Sequence, residues 1–183
     1  MSRVPRPTLM SSPSPDLVAR ARGGSADALA ELYRLYARAL TAVAYRLTGS
    51  AEDAEDVLHD VFVGLPEALR HYDERGTLEP WLKRVTARVA LSRVRARGRR
   101  REVAIDHGTA VGVPPERGVD DLAAVRHAVD RLPDTLRSVF VLRAVEGYTH
   151  AEIAALLAIS PRASEVRLHR AIKALRRQLG GAS

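Results

Sequence analysis

The chain has 183 residues, enough for one ordinary domain or two small ones, with a formal net charge of +7 and no cysteine. The lack of cysteine excludes disulfides, thiolate catalysis and zinc–thiolate sites, and 4% aromatics beside abundant Ala, Leu, Val and Arg favour helices over strands. The basic balance points to nucleic acid or another polyanion.

The N-terminal stretch "MSRVPRPTLMSSPSPDLVARARGGS" has no apolar signal-peptide core, and four prolines, several serines and Gly23-Gly24 predict a disordered tail over 1–24. Ser25 is then a helix N-cap. Leu29, Leu32, Tyr33, Tyr36, Leu40, Val43 and Leu47 recur at spacings of three and four, and Thr48-Gly49 closes the helix. Ser50 with Asp53 reads as a capping box for a second helix, striped by Ala54, Val57, Leu58, Val61, Phe62 and Leu65. Pro66, which has no N–H and clashes with the preceding turn, predicts a kink or an end there. After a "DERG" turn at 73–76, Thr77 caps a third helix with Leu78, Trp81, Leu82, Val85 and Val89 facing inward.

Residues 103–119 contain three glycines and two prolines without a sustained period, which predicts an interdomain linker. Helices resume at Asp120, with Leu122, Val125, Val129 and Leu132 on one stripe ended by Pro133. A helix over 134–146 is stopped by Gly147, and Thr149 with Glu152 forms a capping box that opens a short helix at 150–157. Ser160-Pro161 is an N-cap followed by proline at the first helical position. The expectation is an all-α protein of two small helical domains, 25–102 and 120–180. The longest apolar run, 153–159, is too short to span a bilayer, which predicts a cytoplasmic protein without membrane insertion.

Charge is sorted by segment. Between Arg46 and Arg70 there are six acids (Glu52, Asp53, Glu55, Asp56, Asp60, Glu67) and no Lys or Arg; between Glu79 and Glu102 there are nine cations and no acid. Pairing of the two helices through charge explains part of this pattern. Nine like charges repel one another unless a polyanion lies beside them, and phosphate neutralisation is the preferred reading of the basic helix. The acidic helix reads either as a solvated face or as a docking surface for a basic partner protein.

The last two helices have a helix-turn-helix layout. At about 100° per residue, Ser164, Leu168, Ala171, Ile172, Leu175 and Leu179 share one face of the second. Arg162, Ala163, Val166, His169, Arg170 and Lys173 lie on the other. In such motifs the second helix enters the major groove, where Arg binds guanine bidentately and further cations reach phosphates. An ordinary helical hairpin with a basic outer face is the plainer alternative.

Together the segments resemble an extracytoplasmic-function sigma factor, the minimal sigma class of bacterial RNA polymerase. "AEDAEDVLHDVF" looks like the core-binding helix of sigma domain two. "YDERGTLEPWLKRVTARVALSRVRARGRRR" looks like its promoter-melting helix. "AVDRLPDTLRSVFVLRAVEGYTHAEIAALLAIS" followed by "RLHRAIKALRRQL" looks like sigma domain four. The resemblance implies that Asp53, Glu55, Asp56, His59 and Asp60 dock on the clamp helices of the polymerase β′ subunit. Lys83, Arg84, Arg88, Ser92, Arg93, Arg95 and Arg97 would hold the non-template strand of the minus-ten element. Arg162, Ala163, Val166, Arg167, Arg170 and Lys173 would read the minus-thirty-five element, with domain four on the β flap and the linker in the polymerase cleft. An anti-sigma protein is an expected partner, and no reaction, cofactor or metal is implied. The chain departs from the family pattern at His59 (usually Gln), Arg88 (usually Asn), Ser92 (usually Asp) and in "RASEVR" at 162–167 (usually Gly-Thr-Val-Lys-Ser-Arg). Ser164 puts a hydroxyl on the inner face, a cost unless it bonds back to the preceding turn.

Three other readings follow from the residues. A stand-alone helix-turn-helix regulator leaves the acidic helix and the Arg-rich first domain without a joint purpose. A degenerate sigma factor that binds core polymerase without recognising a promoter fits the altered recognition helix. An enzyme finds no support, because the six histidines (His59, His71, His107, His127, His150, His169) form no metal-ligand pattern and no nucleophile motif frames a serine.

Overall fold

The computed structural model describes residues 13–73, 77–104 and 121–180, and among these it contains helices and no strand. Its helices are α1 (Pro15–Arg22), α2 (Ala26–Thr48), α3 (Ala51–Leu69), α4 (Leu78–Ala104), α5 (Asp121–Asp130), α6 (Asp134–Phe140), α7 (His150–Leu157) and α8 (Pro161–Gly180). The predicted turn at 74–76, the linker residues 105–119 and the first twelve residues of the predicted tail lie outside the described residues.

The expected tail is corrected from Pro15 onward, where α1 packs against α2 and α3 and buries Leu17, Val18 and Ala21. The residues that suggested disorder are start signals here. The Ser14 hydroxyl accepts from the Leu17 N–H, and Pro15 sits at the first helical position, where no N–H is needed. Arg22 then donates to the Leu69 carbonyl at 3.0 Å, beside the Tyr72 N–H that donates to the same oxygen at 3.2 Å, and so ties α1 to the end of α3.

α2, α3 and α4 form the first bundle, with Leu32, Leu40, Val43, Leu47, Val57, Leu65, Leu82 and Leu91 wholly or almost wholly buried. The Ser25 and Ser50 hydroxyls cap their helices by accepting from the Ala28 and Asp53 N–H groups, but the capping box expected at Ser50 does not close: the Asp53 carboxylate takes Arg97, and the Ser50 N–H donates to the Thr48 hydroxyl at 3.4 Å. Pro66 does not end α3, which runs on to Leu69. Pro66 lies in the last turn, so the helix loses one backbone bond where fraying costs least. Tyr33 meets Phe62 with ring centroids 5.0 Å apart, and Tyr72 meets Trp81 at 5.1 Å.

The predicted helix over 134–146 is α-helical only to Phe140; Val141–Val145 is a π turn, with Glu146 N–H donating to the Val141 carbonyl at 3.0 Å. Val125, expected inward, is 40% exposed, while Leu132 is buried on Ala171 and Leu175 of α8. Val139, Val141, Leu142, Tyr148 and Ile153 belong to the same core cluster as α2, α3 and α4. The second helical unit is therefore seated on the first.

The helix-turn-helix forms as read. Thr149 and Glu152 make both halves of a capping box, and Ser160 accepts from the Ala163 N–H at 3.1 Å ahead of Pro161. The turn between α7 and α8 passes through Ala158 at φ 53°, ψ 48°, a left-handed conformation in which a Cβ is strained. Ser164 is fully buried, and its hydroxyl meets His150 Nδ1 at 2.9 Å, so its partner is the α7 imidazole rather than the preceding turn. In chemical denaturation, Ala158→Gly is expected to raise stability by about 0.5–1 kcal/mol, and Ser164→Ala to lower it by about 1 kcal/mol by removing the bond to His150.

Candidate nucleic-acid interface

The two charged helices meet. Asp53, Asp56 and Asp60 succeed one another at helical spacing along α3, opposite Arg93 and Arg97 of α4. Arg93 bonds Asp56, reaches Asp60 at 3.1 Å and lies 3.9 Å from Asp53; Arg97 donates to Asp53 at 2.7 Å. Burial disfavours the Arg93 charge, but the Asp60 and Asp56 carboxylates outweigh it and hold its pKa above the ordinary guanidine value. Glu55 and His59, the other predicted docking residues, are exposed.

The remaining α4 positions divide. Lys83 pairs with Glu79 at 2.8 Å one turn away, while Arg88, Ser92 and Arg99 are exposed. Arg88 and Arg99 pair with no acid among the described residues. Arg84 reaches Glu152 of α7 at 3.2 Å, Arg95 donates to the Leu156 carbonyl at 3.2 Å, and Arg97 reaches Asp134 of α6 at 3.2 Å. Of the seven α4 positions singled out from sequence, three thus bind acceptors on the second helical unit.

On α8, Val166, Arg170 and Lys173 are exposed together, Ala163 is half-buried, and Arg162 donates to Glu165 at 3.0 Å in an exposed i, i+3 pair. Arg167 departs from this face. It is half-buried at a cavity of about 290 Å³ between the helical units, shared with Arg95, Arg99, Asp134 and the apolar Leu91 and Val94.

Several residues of the seam carry no sequence signal. Arg137, 5% exposed, extends from α6 to the Thr48 carbonyl at 3.1 Å, bonds Asp134, and donates to the Asp130 carbonyl at 3.0 Å. Arg97 donates to the same Thr48 carbonyl at 2.9 Å. Gly49 has φ 68°, and a Cβ there would lie 2.7 Å from an Arg137 nitrogen, so glycine is needed both for the left-handed cap and for the approach of Arg137. At the far side of the seam, Arg46 of α2 bonds Glu146, which follows the π turn.

Among the described residues no group of His, Asp and Glu is placed to hold a metal ion, and no helix is long and apolar enough to cross a membrane. The architecture is that of a two-part helical DNA-binding protein with a helix-turn-helix at its C-terminal end. Residues 32–100 match the family model for sigma-70 region 2, and residues 122–175 match that for sigma-70 region 4. The chain is 31% identical to the RNA polymerase sigma factor CarQ of Myxococcus xanthus, covering 88% of this chain and 94% of that protein. It is 35% identical to the ECF RNA polymerase sigma factor SigE of Mycolicibacterium smegmatis over 80% of this chain and 59% of that one. Among solved structures, CnrH in complex with the cytosolic domain of CnrY is 28% identical, with a TM-score of 0.56 over 92% of this chain and 97% of that one. The sigma factor RpoE of Bartonella quintana, in complex with the anti-sigma factor NepR, shares the fold at 23% identity and a TM-score of 0.59, covering 82% and 95% of the two chains. The chain belongs to the extracytoplasmic-function group of the sigma-70 family.

The Glu152 carboxyl is held below its ordinary value, first by the Thr149 backbone N–H and then by the Thr149 hydroxyl. A depressed folded-state pKa contributes stability that is present above the unfolded value and lost as pH falls through the folded one. Thermal melts from about pH 5 downward are therefore expected to fall more steeply for the native chain than for Glu152→Gln.

Proposed function

We propose that this protein is a transcription initiation factor that binds core RNA polymerase, directs it to specific promoters and helps to open them, without catalysing a reaction itself. The observation that carries this reading is the order of two sigma regions on two helical units, with the acidic α3 and basic α4 adjacent in the first and a basic helix-turn-helix in the second. In this reading Glu55, Asp56, His59 and Asp60, with Asp53 behind them, meet a basic surface of the polymerase β′ subunit, and the second unit meets the β flap. Arg88 and Ser92 already face outward, and Lys83, Arg84, Arg93, Arg95 and Arg97 exchange internal acceptors for the minus-ten strand. α8 inserts Arg162, Ala163 and Val166 into the major groove of the minus-thirty-five element, while Arg170 and Lys173 reach phosphates. Arg167 joins them once the seam no longer holds it. An anti-sigma protein is the proposed regulatory partner, and the cytoplasm the proposed location.

Reconstituted transcription with core polymerase tests this directly. Initiation at a defined start supports it, whereas DNA binding with no core association supports a stand-alone regulator, and core association with no promoter-dependent start supports a degenerate sigma factor. Glu55→Lys changes an exposed side chain outside the internal pairs. It is expected to lower core affinity at least about tenfold, measured by fluorescence anisotropy, with an unchanged melting temperature. Arg88→Glu is expected to leave core affinity intact and to suppress open-complex formation, read by permanganate reactivity of unpaired thymines.

A further inference from the structure

We propose that the cavity of about 290 Å³ between the helical units is a binding site for a small organic anion, one with an apolar body and a carboxylate or phosphate head.

The lining is of two kinds. Leu91 and Val94 of α4 and Leu157 of α7 form an apolar floor. Arg95, Arg99 and Arg167 place three guanidinium groups around it. The one acid among the lining residues, Asp134, is already bonded by Arg97 and Arg137. Arg95 has the Leu156 carbonyl, while Arg99 and Arg167 have no acid or carbonyl partner among the described residues. This sets the cavity apart from the face between α3 and α4, where Arg93 and Arg97 each hold a carboxylate. Like charges gathered on an apolar surface repel one another and are poorly solvated. An oxyanion held bidentately by guanidinium groups offsets that repulsion, and an apolar body covers the floor. A neutral apolar molecule would leave the cations uncompensated, and a bare inorganic anion would leave the floor wet.

Gly98 is an independent observation. It lies inside α4 and lines the same cavity, in a helix that alanine would stabilise. A Cβ at residue 98 would meet nothing within 4 Å, so packing does not demand glycine there, and its missing side chain leaves the cavity room. Arg95 and Arg167 are also the cations assigned above to the minus-ten and minus-thirty-five contacts, so a ligand bound here competes with DNA for both. That competition, unlike the site itself, rests on the promoter reading.

Calorimetric titration of the full chain tests the site with four probes. Naphthalene carboxylate and naphthyl phosphate carry both features, naphthalene methanol has the body without the charge, and inorganic phosphate has the head without the body. At least one of the first two is expected to fill one saturable site with a Kd at or below about 1 mM, and both partial probes to bind at least about tenfold more weakly. The tighter of the two charged probes identifies the head. Gly98→Leu adds an apolar side chain at the cavity wall and favours α4, so it should abolish binding without lowering the melting temperature. Arg99→Gln changes an exposed side chain outside the proposed DNA and polymerase contacts. It should weaken the charged probes about tenfold and leave the melting temperature unchanged. Equal binding of charged and neutral probes, or binding unchanged in both variants, overturns the site. Open-complex formation, after core polymerase and promoter are added to the chain, should fall at saturating probe for the native protein and not for Gly98→Leu. Probe binding with undiminished open-complex formation overturns the competition. Absence of any open complex without probe overturns the promoter reading and the competition with it, while the titration still decides the site.

Discussion

The relative placement of the two helical units depends on one backbone carbonyl. Thr48 ends α2, and its oxygen has no partner within the helix. Arg97 approaches it from α4 and Arg137 from α6, at 2.9 and 3.1 Å. Two guanidinium groups on one acceptor repel each other, and burying them costs more still. Asp134 resolves this by bonding both, and Asp53 takes the other end of Arg97. The corner closes only because residue 49 is glycine: it turns the chain through φ 68° and leaves the space that Arg137 fills. The shared apolar core supplies the area of the contact, and the carbonyl with its two arginines fixes its register.

The same geometry changes the meaning of the charge on α4. Nine cations without an intervening acid look from sequence like a rod that needs a polyanion. In the folded chain Arg93 and Arg97 are neutralised by Asp53, Asp56 and Asp60, Arg84 by Glu152 and Lys83 by Glu79. Exposed ion pairs are individually weak, roughly 0–1 kcal/mol, because water and salt compete for both partners. Phosphates compete in the same way. The internal pairs therefore offset the repulsion along the helix without fixing its cations irreversibly.

Local signals were legible in the sequence and long-range ones were not. The caps at Ser25, Ser50, Thr149 and Ser160 rest on contacts three residues apart, so residue type and spacing suffice, and all four form. The apolar stripe of α2 was legible for the same reason, except at Tyr33, which is 46% exposed and lies against Phe62. α1 was not legible, because proline and serine signal disorder in one context and a helix start in another; what decides is whether Leu17, Val18 and Ala21 find a surface, and α2 and α3 provide it. The π turn at Val141–Val145 and the burial of Arg137 were beyond reach. Arg137 is held by Thr48, 89 positions away, and Glu146, which follows the π turn, by Arg46, 100 positions away. Of the candidate site, the helices and their charges could be read from sequence, but not that they would face each other.

That mutual facing has a thermodynamic consequence for the proposed function. The carboxylates that would meet polymerase, Asp53, Asp56 and Asp60, hold the arginines that would meet DNA, Arg93 and Arg97. Whatever draws the carboxylates toward a basic surface of the polymerase weakens their hold on the arginines, and so raises the affinity of α4 for a phosphate backbone. Linkage makes the effect reciprocal: a bound strand that takes Arg93 and Arg97 leaves the α3 carboxylates more available to polymerase by the same free energy. Two contacts that compete for one ladder of ion pairs are thus driven to form together. On the proposed contacts, this ladder of ion pairs would by itself make the affinity of α4 for DNA higher with polymerase bound to α3 than without it.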